Sequence, residues 1–367
     1  MIKLLKGLEC YCPEYIGRKD ILIIKDKIYK IESSINLTDD SLIEEIIPCD
    51  GLLAFPGIID QHVHIIGGGG EDGFSSRISE IDVDEIIFAG ITTVIGLLGA
   101  DNQTKGLSNL IAKARSLEAL GINTYAYTGS YSIPPITLTG NITSDLVFID
   151  KFIGIGEVAL SDHRSSHPEL RDMLKLATET HLGGLLGKKA GIVHIHLGDG
   201  KFGLDLLFKL IKKSDLPIEM FVPTHMNRNK DLFKQAISYC KLGGFIDLTA
   251  GEIVGIDVPS ALLNLLDNGV DLNKITVSSD AKGAFSKDKI GSSQNLYNDI
   301  IKCIVIKNIK PETAFKFVTE NVARILKLYP NKGIIHEGSD ADILITDNNY
   351  KIKKLICMGK FLINEKI

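Results

Sequence analysis

Two textures of hydrophobic and polar positions divide the chain. To about residue 54 short β-like runs alternate with turns, at Asp20–Ile24, Lys27–Ile31 and Leu42–Ile47. The same texture returns near the end, in Asp340–Thr346 and Lys353–Ile363. Such runs, bounded by turn residues and lacking a long helical period, predict strands. The middle of the chain repeats a different unit. Apolar strand-like runs recur at Gly57–His64, Thr92–Gly99, Thr124–Tyr131, Phe152–Leu160, Ala190–Gly198, Ile218–Met226, Gly243–Ala250 and Ile275–Ala281. Amphipathic helical stretches fill most of the gaps. Leu107–Ala114 runs on toward Gly121, and Asp231–Ile237 follows a cap at Asn229 and stops before Gly243. Eight alternating strand–helix units are what a parallel (β/α)8 barrel requires. A closing helix over Pro311–Leu328, with proline in its first turn, leads back to the terminal texture. The expected fold class is α/β: a TIM-type (β/α)8 barrel over residues 55–329, with a small β-sandwich domain built from both termini, 1–54 and 330–367.

Composition narrows the function classes. Hydrophobic residues at 44% and charged residues at 24% match ordinary globular usage, which argues against disorder. A net charge of −5, with no basic patch, argues against a nucleic-acid partner. No apolar run reaches the roughly 20 residues that span a bilayer, so no membrane partner is expected. The charged start, Met1–Gly7, lacks the apolar core of a signal peptide. Cys10, Cys12, Cys49, Cys240, Cys303 and Cys357 form no Cys-x-x-Cys pair or compact framework, so free thiols and a cytoplasmic location are expected. Cys10 and Cys12 suit an edge of the N-terminal sheet better than a soft-metal site.

The first strand of the middle section carries the strongest chemical signal. Side chains alternate faces along a strand, so His62 and His64 project the same way. Alone, such a pair fits two packed histidines as well as half a metal site. The glycines at 67–70 then let the backbone pass close to a ligand without Cβ interference, Gly69 among them, and Glu71 follows with a carboxylate for a cationic group. The remaining polar residues also fall at strand ends, where a barrel places its active site. They are Tyr131 at the end of strand three, Glu157 on strand four with Arg164 beyond it, His196 on strand five, His225 and Arg228 at the end of strand six, and Asp280 at the end of strand eight. First-row divalent metals take imidazoles and carboxylates and need an open position for water. His62, His64 and Asp280 suit one metal, His196 and His225 a second, and Glu157 a bridge between them. Two such ions sharing a hydroxide would supply a nucleophile at neutral pH, with Asp280 passing its proton to the leaving amine.

Other readings stand beside these. Tyr131 suits packing as well as function, and Arg164 and Arg228 suit structural pairs with acidic rim groups. His194 reads as a packed core histidine one step deeper than His196. His163 reads as a supporting or structural residue, and His167, His181 and His336 as unrelated to the metals.

Taken together, Asp60–His64 with the run to Glu71, Thr128–Tyr131, Ser161–Ser165, Pro223–Asn229, Ser278–Asp280 and Gly333–Asp342 resemble the amidohydrolase superfamily. Within it they resemble the isoaspartyl dipeptidases (β-aspartyl peptidases), which cleave peptides linked through the aspartate side chain. The resemblance spans nearly the whole chain. It implies two divalent ions, zinc being the expected metal, and a small dipeptide as substrate. It also implies Glu71 for the α-amino group, Tyr131 for the developing oxyanion, Arg164 and Arg228 for substrate carboxylates, and a tendency to homo-oligomerise. Three positions depart from the family pattern. Glu157 stands where a carboxylated lysine usually bridges the metals, and Ala100 and Ala284 stand where a threonine and a serine hold substrate. A glutamate bridge would need the strand to come closer, a bend that Gly154 and Gly156 permit. Competing functions are a deacetylase or cyclic-amide hydrolase of the same superfamily, and a non-catalytic assembly protein on the same fold.

Overall fold

Six parallel strands form one ladder in chain order: Ile58–Val63, Ile91–Gly96, Asn123–Thr128, Phe152–Leu160, Ile192–Leu197 and Phe221–Thr224. A seventh and an eighth, Ile246–Thr249 and Ile275–Ser278, pair in parallel with each other. The structure is a computed structural model and describes residues 2–36, 43–286 and 289–365. Seven of the eight strands are buried along their whole length, and in Asn123–Thr128 only Asn123 and Tyr125 are partly exposed, the mark of a sheet covered on both faces; helices run between successive strands. Two contacts tie the ladder to the separate pair. Met226 N–H donates to Asp247 O at 3.2 Å beyond the sixth strand, and Val63 forms a parallel bridge with Ala281 beyond the eighth. Inside, the Asp247 carboxylate accepts from Gln61 Nε2 at 2.7 Å, Thr224 Oγ1 at 2.7 Å and Ser278 Oγ at 2.5 Å, linking the first, sixth and eighth strands to the seventh.

The expected strands are all present, most of them shorter at one or both ends. The sixth begins at Phe221 rather than Ile218, because Ile218–Met220 winds into a short 3-10 turn behind Pro217. The helices Leu107–Ala119 and Lys230–Lys241 lie where the pattern placed them, and Asn229 caps the second by accepting from Leu232 N–H. The closing helix is a correction. Pro311–Leu328 is two short helices, Pro311–Lys316 and Glu320–Ile325. The break has a physical reason: between them Phe317 O accepts from Val277 N–H at 3.0 Å and Val318 O from Ile59 N–H at 2.8 Å. Those strand N–H groups would otherwise be buried without partners, and a continuous helix would keep both carbonyls for itself. Val322, Ala323, Ile325 and Leu326 then pack against Ile59, Ile153, Ile192 and Val222.

The terminal segments form one eight-stranded sheet. Ile2–Tyr11 pairs with Tyr15–Ile24 on one side and with Glu45–Pro48 and Leu53–Pro56 on the other. Lys27–Glu32 pairs with Tyr15–Ile24, Ile343–Thr346 joins Leu53–Pro56, and Ile352–Cys357 and Lys360–Asn364 complete the sheet. The sheet curls onto itself, since Lys27 bridges Asp340 and Ile28 N–H donates to Ser339 O at 3.0 Å. The curl encloses Leu5, Leu8, Ile21, Ile23, Ile343, Ile345 and Ile356. Leu42, the first residue of the third expected N-terminal run, lies outside the described residues.

Candidate metal centre and active site

Glu157 is the hub of a buried cluster at the C-terminal ends of the parallel strands. Its Oε2 lies 3.1 Å from His196 Nδ1, 3.4 Å from His62 Nε2 and 3.6 Å from His225 Nε2, and its Oε1 lies 3.4 Å from His64 Nε2. Asp280 Oδ1 faces the same two first-strand histidines, 3.1 Å from His64 Nε2 and 3.4 Å from His62 Nε2. Backbone geometry aims two of these side chains. His225 and Asp280 lie just past their strands with φ of 61° and 49°, a left-handed conformation that non-glycine residues rarely adopt and that marks functional turns.

A register shift aims Glu157. Ile155 pairs with Val193 but Val158 pairs with Ile195, so Gly156 and Glu157 together oppose the single residue His194. This is a β-bulge, which re-aims a side chain at the cost of one ladder position. Gly156 suits it, because a Cβ there would lie 2.8 Å from His194 Cβ.

Two groups of ligand atoms lie close enough for an ion to bind: His62, His64 and Asp280, and His62, Glu157 and His225. The second differs from the expected pairing of His196 with His225. His196 is engaged on both ring nitrogens, with Nδ1 2.9 Å from Tyr131 Oη and Nε2 3.0 Å from Asp162 Oδ2. The cluster fits a divalent metal on its own chemistry. His62 Nε2 and Asp280 Oδ1 face each other, buried, and neither has a hydrogen-bond partner among the described residues. Leaving such atoms unsatisfied is costly, and a cation between them would use both lone pairs. Two rings are also turned correctly. His62 Nδ1 is 2.8 Å from His194 Nε2, and His225 Nδ1 is 2.7 Å from Thr249 Oγ1, so each Nε2 points inward.

Charge states follow from burial and neighbours. Burial alone would raise the Glu157 carboxyl, but the neighbouring His62 and His196 rings outweigh it and hold the group well below the usual carboxylate range. Asp280 is likewise held down against burial by the neighbouring His62 and His64 rings. Burial and then Arg228 push His225 down to about 3, so its ring is neutral. Burial, reinforced by Glu157, pushes the Tyr131 phenol well above its usual value, and it remains a proton donor.

A cavity of about 20 Å³ sits over this cluster, lined among others by Gly69, Glu71, Tyr131, Arg164 and Arg228. Ala100 and Ala284 also line it, so neither position offers a hydroxyl there. It adjoins an outer cleft of about 1030 Å³ that shares Glu71, Arg164, Arg228 and Asp280. Gly69 has φ of 72°, and a Cβ there would lie 2.4 Å from Ser76 O, so only glycine fits. Lys105 holds this loop, donating to Ile66 O at 2.7 Å and Gly67 O at 2.6 Å. Arg228 Nη1 donates to Leu197 O at 2.9 Å.

Sequence reasoning missed three supporting residues: Asp162, Lys105 and the true role of His194. Asp162 is buried, binds Arg164 through both Nε and Nη2 at 2.9 and 2.8 Å, and touches His196. Its sequence signal was its place in the Ser161–Ser165 segment, two residues before Arg164 and just after a strand. His194 was expected to be a packed core histidine rather than a ligand; it is fully buried and belongs to neither ligand group, and it is in addition the hydrogen-bond partner of His62. His163 was expected to support the site and is largely exposed, 3.5 Å from Asp162 Oδ1.

The chain belongs to the amidohydrolase family, whose model matches residues 53–362. A more particular likeness is to the β-aspartyl dipeptidase of the thermophilic keratin-degrading Fervidobacterium islandicum AW-1. Its crystal structure in complex with β-Asp-Leu dipeptide is 42% identical over 100% of this chain and 97% of that one, with a TM-score of 0.94. Another crystal structure of that dipeptidase gives 42% identity, 100% and 98% coverage and a TM-score of 0.93. The imidazolonepropionase of Colwellia psychrerythraea is 21% identical over 86% of this chain and 80% of its own length.

Proposed function

We propose that this protein is a binuclear metal-dependent dipeptidase that hydrolyses β-aspartyl (isoaspartyl) dipeptides. The observation that carries the reading is one small cavity in which Glu71, Arg164 and Arg228 stand over the Glu157–histidine–Asp280 cluster. A β-aspartyl dipeptide carries one α-ammonium and two carboxylates around its scissile amide, and the cavity offers one carboxylate and two guanidinium groups. Guanidinium forks match carboxylates in geometry as well as charge.

His62, His64, Glu157, His196, His225 and Asp280 are the proposed ligands of two divalent ions, with zinc the expected metal and Glu157 the bridge. Such ions lower the pKa of water and polarise a carbonyl. The chain's own residues do the rest. Asp280 accepts the proton of the attacking water and returns it to the leaving amine. Tyr131, kept protonated by burial, donates toward the oxygen on which negative charge develops. Glu71 holds the α-ammonium, and Arg164 and Arg228 hold the carboxylates, fixing the amide in register.

The same reading takes the eight parallel strands as a closed (β/α)8 barrel over residues 55–329, supported by the Met226–Asp247 and Val63–Ala281 contacts. Residues 1–54 and 330–367 are then a separate small domain, with the strand Leu53–Pro56 running across the boundary. Exposed Leu182, Leu185 and Leu186 on the helix Leu170–Gly187, with exposed Phe148 on the preceding helix, support a homo-oligomer. None of the described helices is long and apolar enough to cross a membrane. Six unpaired cysteines, five of them buried, favour the reducing cytoplasm.

The test is cleavage of three compounds by the zinc-loaded protein. β-Aspartyl-leucine should be cleaved far faster than α-aspartyl-leucine, and N-acetylation should abolish cleavage by removing the charge that Glu71 holds. Preference for the acetylated compound would replace this reading with a deacetylase or aminoacylase.

A further inference from the structure

We propose that His194 is a positioning residue for the metal centre: its Nε2 accepts the Nδ1–H of His62 and so locks the His62 ring in the one tautomer whose Nε2 can bind a cation. The inference rests on the metal reading of the cluster.

A neutral imidazole has one protonated and one bare nitrogen. If His62 Nε2 is to offer a lone pair toward Asp280 and Glu157, its proton must sit on Nδ1. That nitrogen is 2.8 Å from His194 Nε2, which must then be bare. His194 is placed to meet the requirement, because its buried ring lies between His62 and Tyr127 with Nε2 turned toward that nitrogen. Its own proton is consequently on Nδ1, which has no acceptor among the described residues.

That orphaned N–H shows why packing alone does not account for the residue. A buried unsatisfied donor is costly, and a leucine or phenylalanine would fill the same space without it. The ring is held in place regardless. Tyr127 stacks on it with centroids 5.1 Å apart, and the bulge at Gly156–Glu157 sits against its Cβ. Metal-binding histidines usually pass their second N–H to a carboxylate or a carbonyl. A neutral imidazole fixes the tautomer without adding charge next to Glu157 and Asp280, which are already two anions in a dry site.

Zinc affinity measured in zinc-buffered solutions separates acceptor from filler. His194→Phe keeps the ring and removes the acceptor, and zinc should bind about 10- to 100-fold more weakly, the usual cost of losing such a partner. His194→Gln places an amide oxygen near the position of Nε2 and should restore most of the affinity. Thermal unfolding in chelator checks that both variants fold. In histidine-15N-labelled wild type loaded with zinc, long-range 1H–15N spectra should show His62 protonated on Nδ1. Unchanged affinity in His194→Phe, equal losses in both variants, or a His62 protonated on Nε2 would each overturn the assignment while leaving the metal site intact. A wild type that binds no divalent metal would overturn the metal reading and this inference with it.

Discussion

Arg164 Nη1 donates to Glu71 Oε1 at 2.9 Å, so two groups proposed to bind opposite ends of a substrate are bound to each other across the cavity. An incoming ammonium must compete with Arg164 for Glu71, and an incoming carboxylate must compete with Glu71 for Arg164. A zwitterion replaces both halves of the pair at once, whereas a singly charged ligand leaves one half without a partner. The ion pair therefore acts as a filter for zwitterions, beyond the attraction of either charge alone.

Glu71→Gln should accordingly lower kcat/KM for β-aspartyl-leucine by roughly 10- to 100-fold, the range of a charge-assisted hydrogen bond of about 1.5–3 kcal/mol. Succinyl-leucine, which lacks the α-amino group, should lose much less on the same substitution. Equal losses on both compounds would remove Glu71 from recognition of the amine.

Asp162 is the residue on which Arg164 depends. Both of its oxygens hold the guanidinium, and it also faces His196, so burial fails to raise its carboxyl and it is held well below the usual range. Asp162→Asn keeps the shape but can no longer pair with Arg164 as an anion. The expected result is a rise in KM for β-aspartyl-leucine of about 10-fold or more, with a folded protein by circular dichroism. An unchanged KM would show that Arg164 needs no such support.

Asp280→Asn should retain the fold and lose turnover, because an amide cannot shuttle a proton. Loss of a general base typically costs on the order of 100- to 10,000-fold, and kcat for β-aspartyl-leucine is the quantity to measure. A variant within about tenfold of the wild type would end the assignment of Asp280 as the base.

What the sequence disclosed was local and periodic. His62, His64 and His196 could be placed because a strand alternates faces, and Glu157 because it sits in a long apolar run followed by the histidine-bearing run Ala190–Gly198. Contacts between distant strands were not legible. His194 differs from a packed core histidine only through His62, which lies 132 positions away in sequence and meets it across the strands' interior. The closing segment misled for a related reason: nothing in Pro311–Leu328 reveals that Ile59 and Val277 need acceptors at Val318 and Phe317. The second metal group likewise depends on which ring nitrogen of His196 faces Asp162, a fact of packing rather than of pattern.

Glu157 yields the last prediction. A lysine in a bridging position must first react with carbon dioxide, so its metal loading responds to bicarbonate; a glutamate is already an anion with two oxygens. The nearest alternative, Lys151, is ruled out by its place. Its Nζ is paired with Glu118 and donates to Thr124 O at 3.0 Å, and Lys151 precedes the strand whose far half carries Glu157. The bulge at Gly156–Glu157 supplies the local shift that a side chain shorter than carboxylated lysine requires. Metal-stripped protein should therefore regain full activity with zinc alone in carbon-dioxide-free buffer. Glu157→Ala should lose bound metal, measured as zinc per chain, and short carboxylic acids should partly restore it. Gly156→Ala tests the bulge separately: its Cβ would press on His194, and overpacking of this kind costs about 1–3 kcal/mol of stability along with zinc affinity. Reconstitution that strictly requires bicarbonate would show that Glu157 is not the bridge.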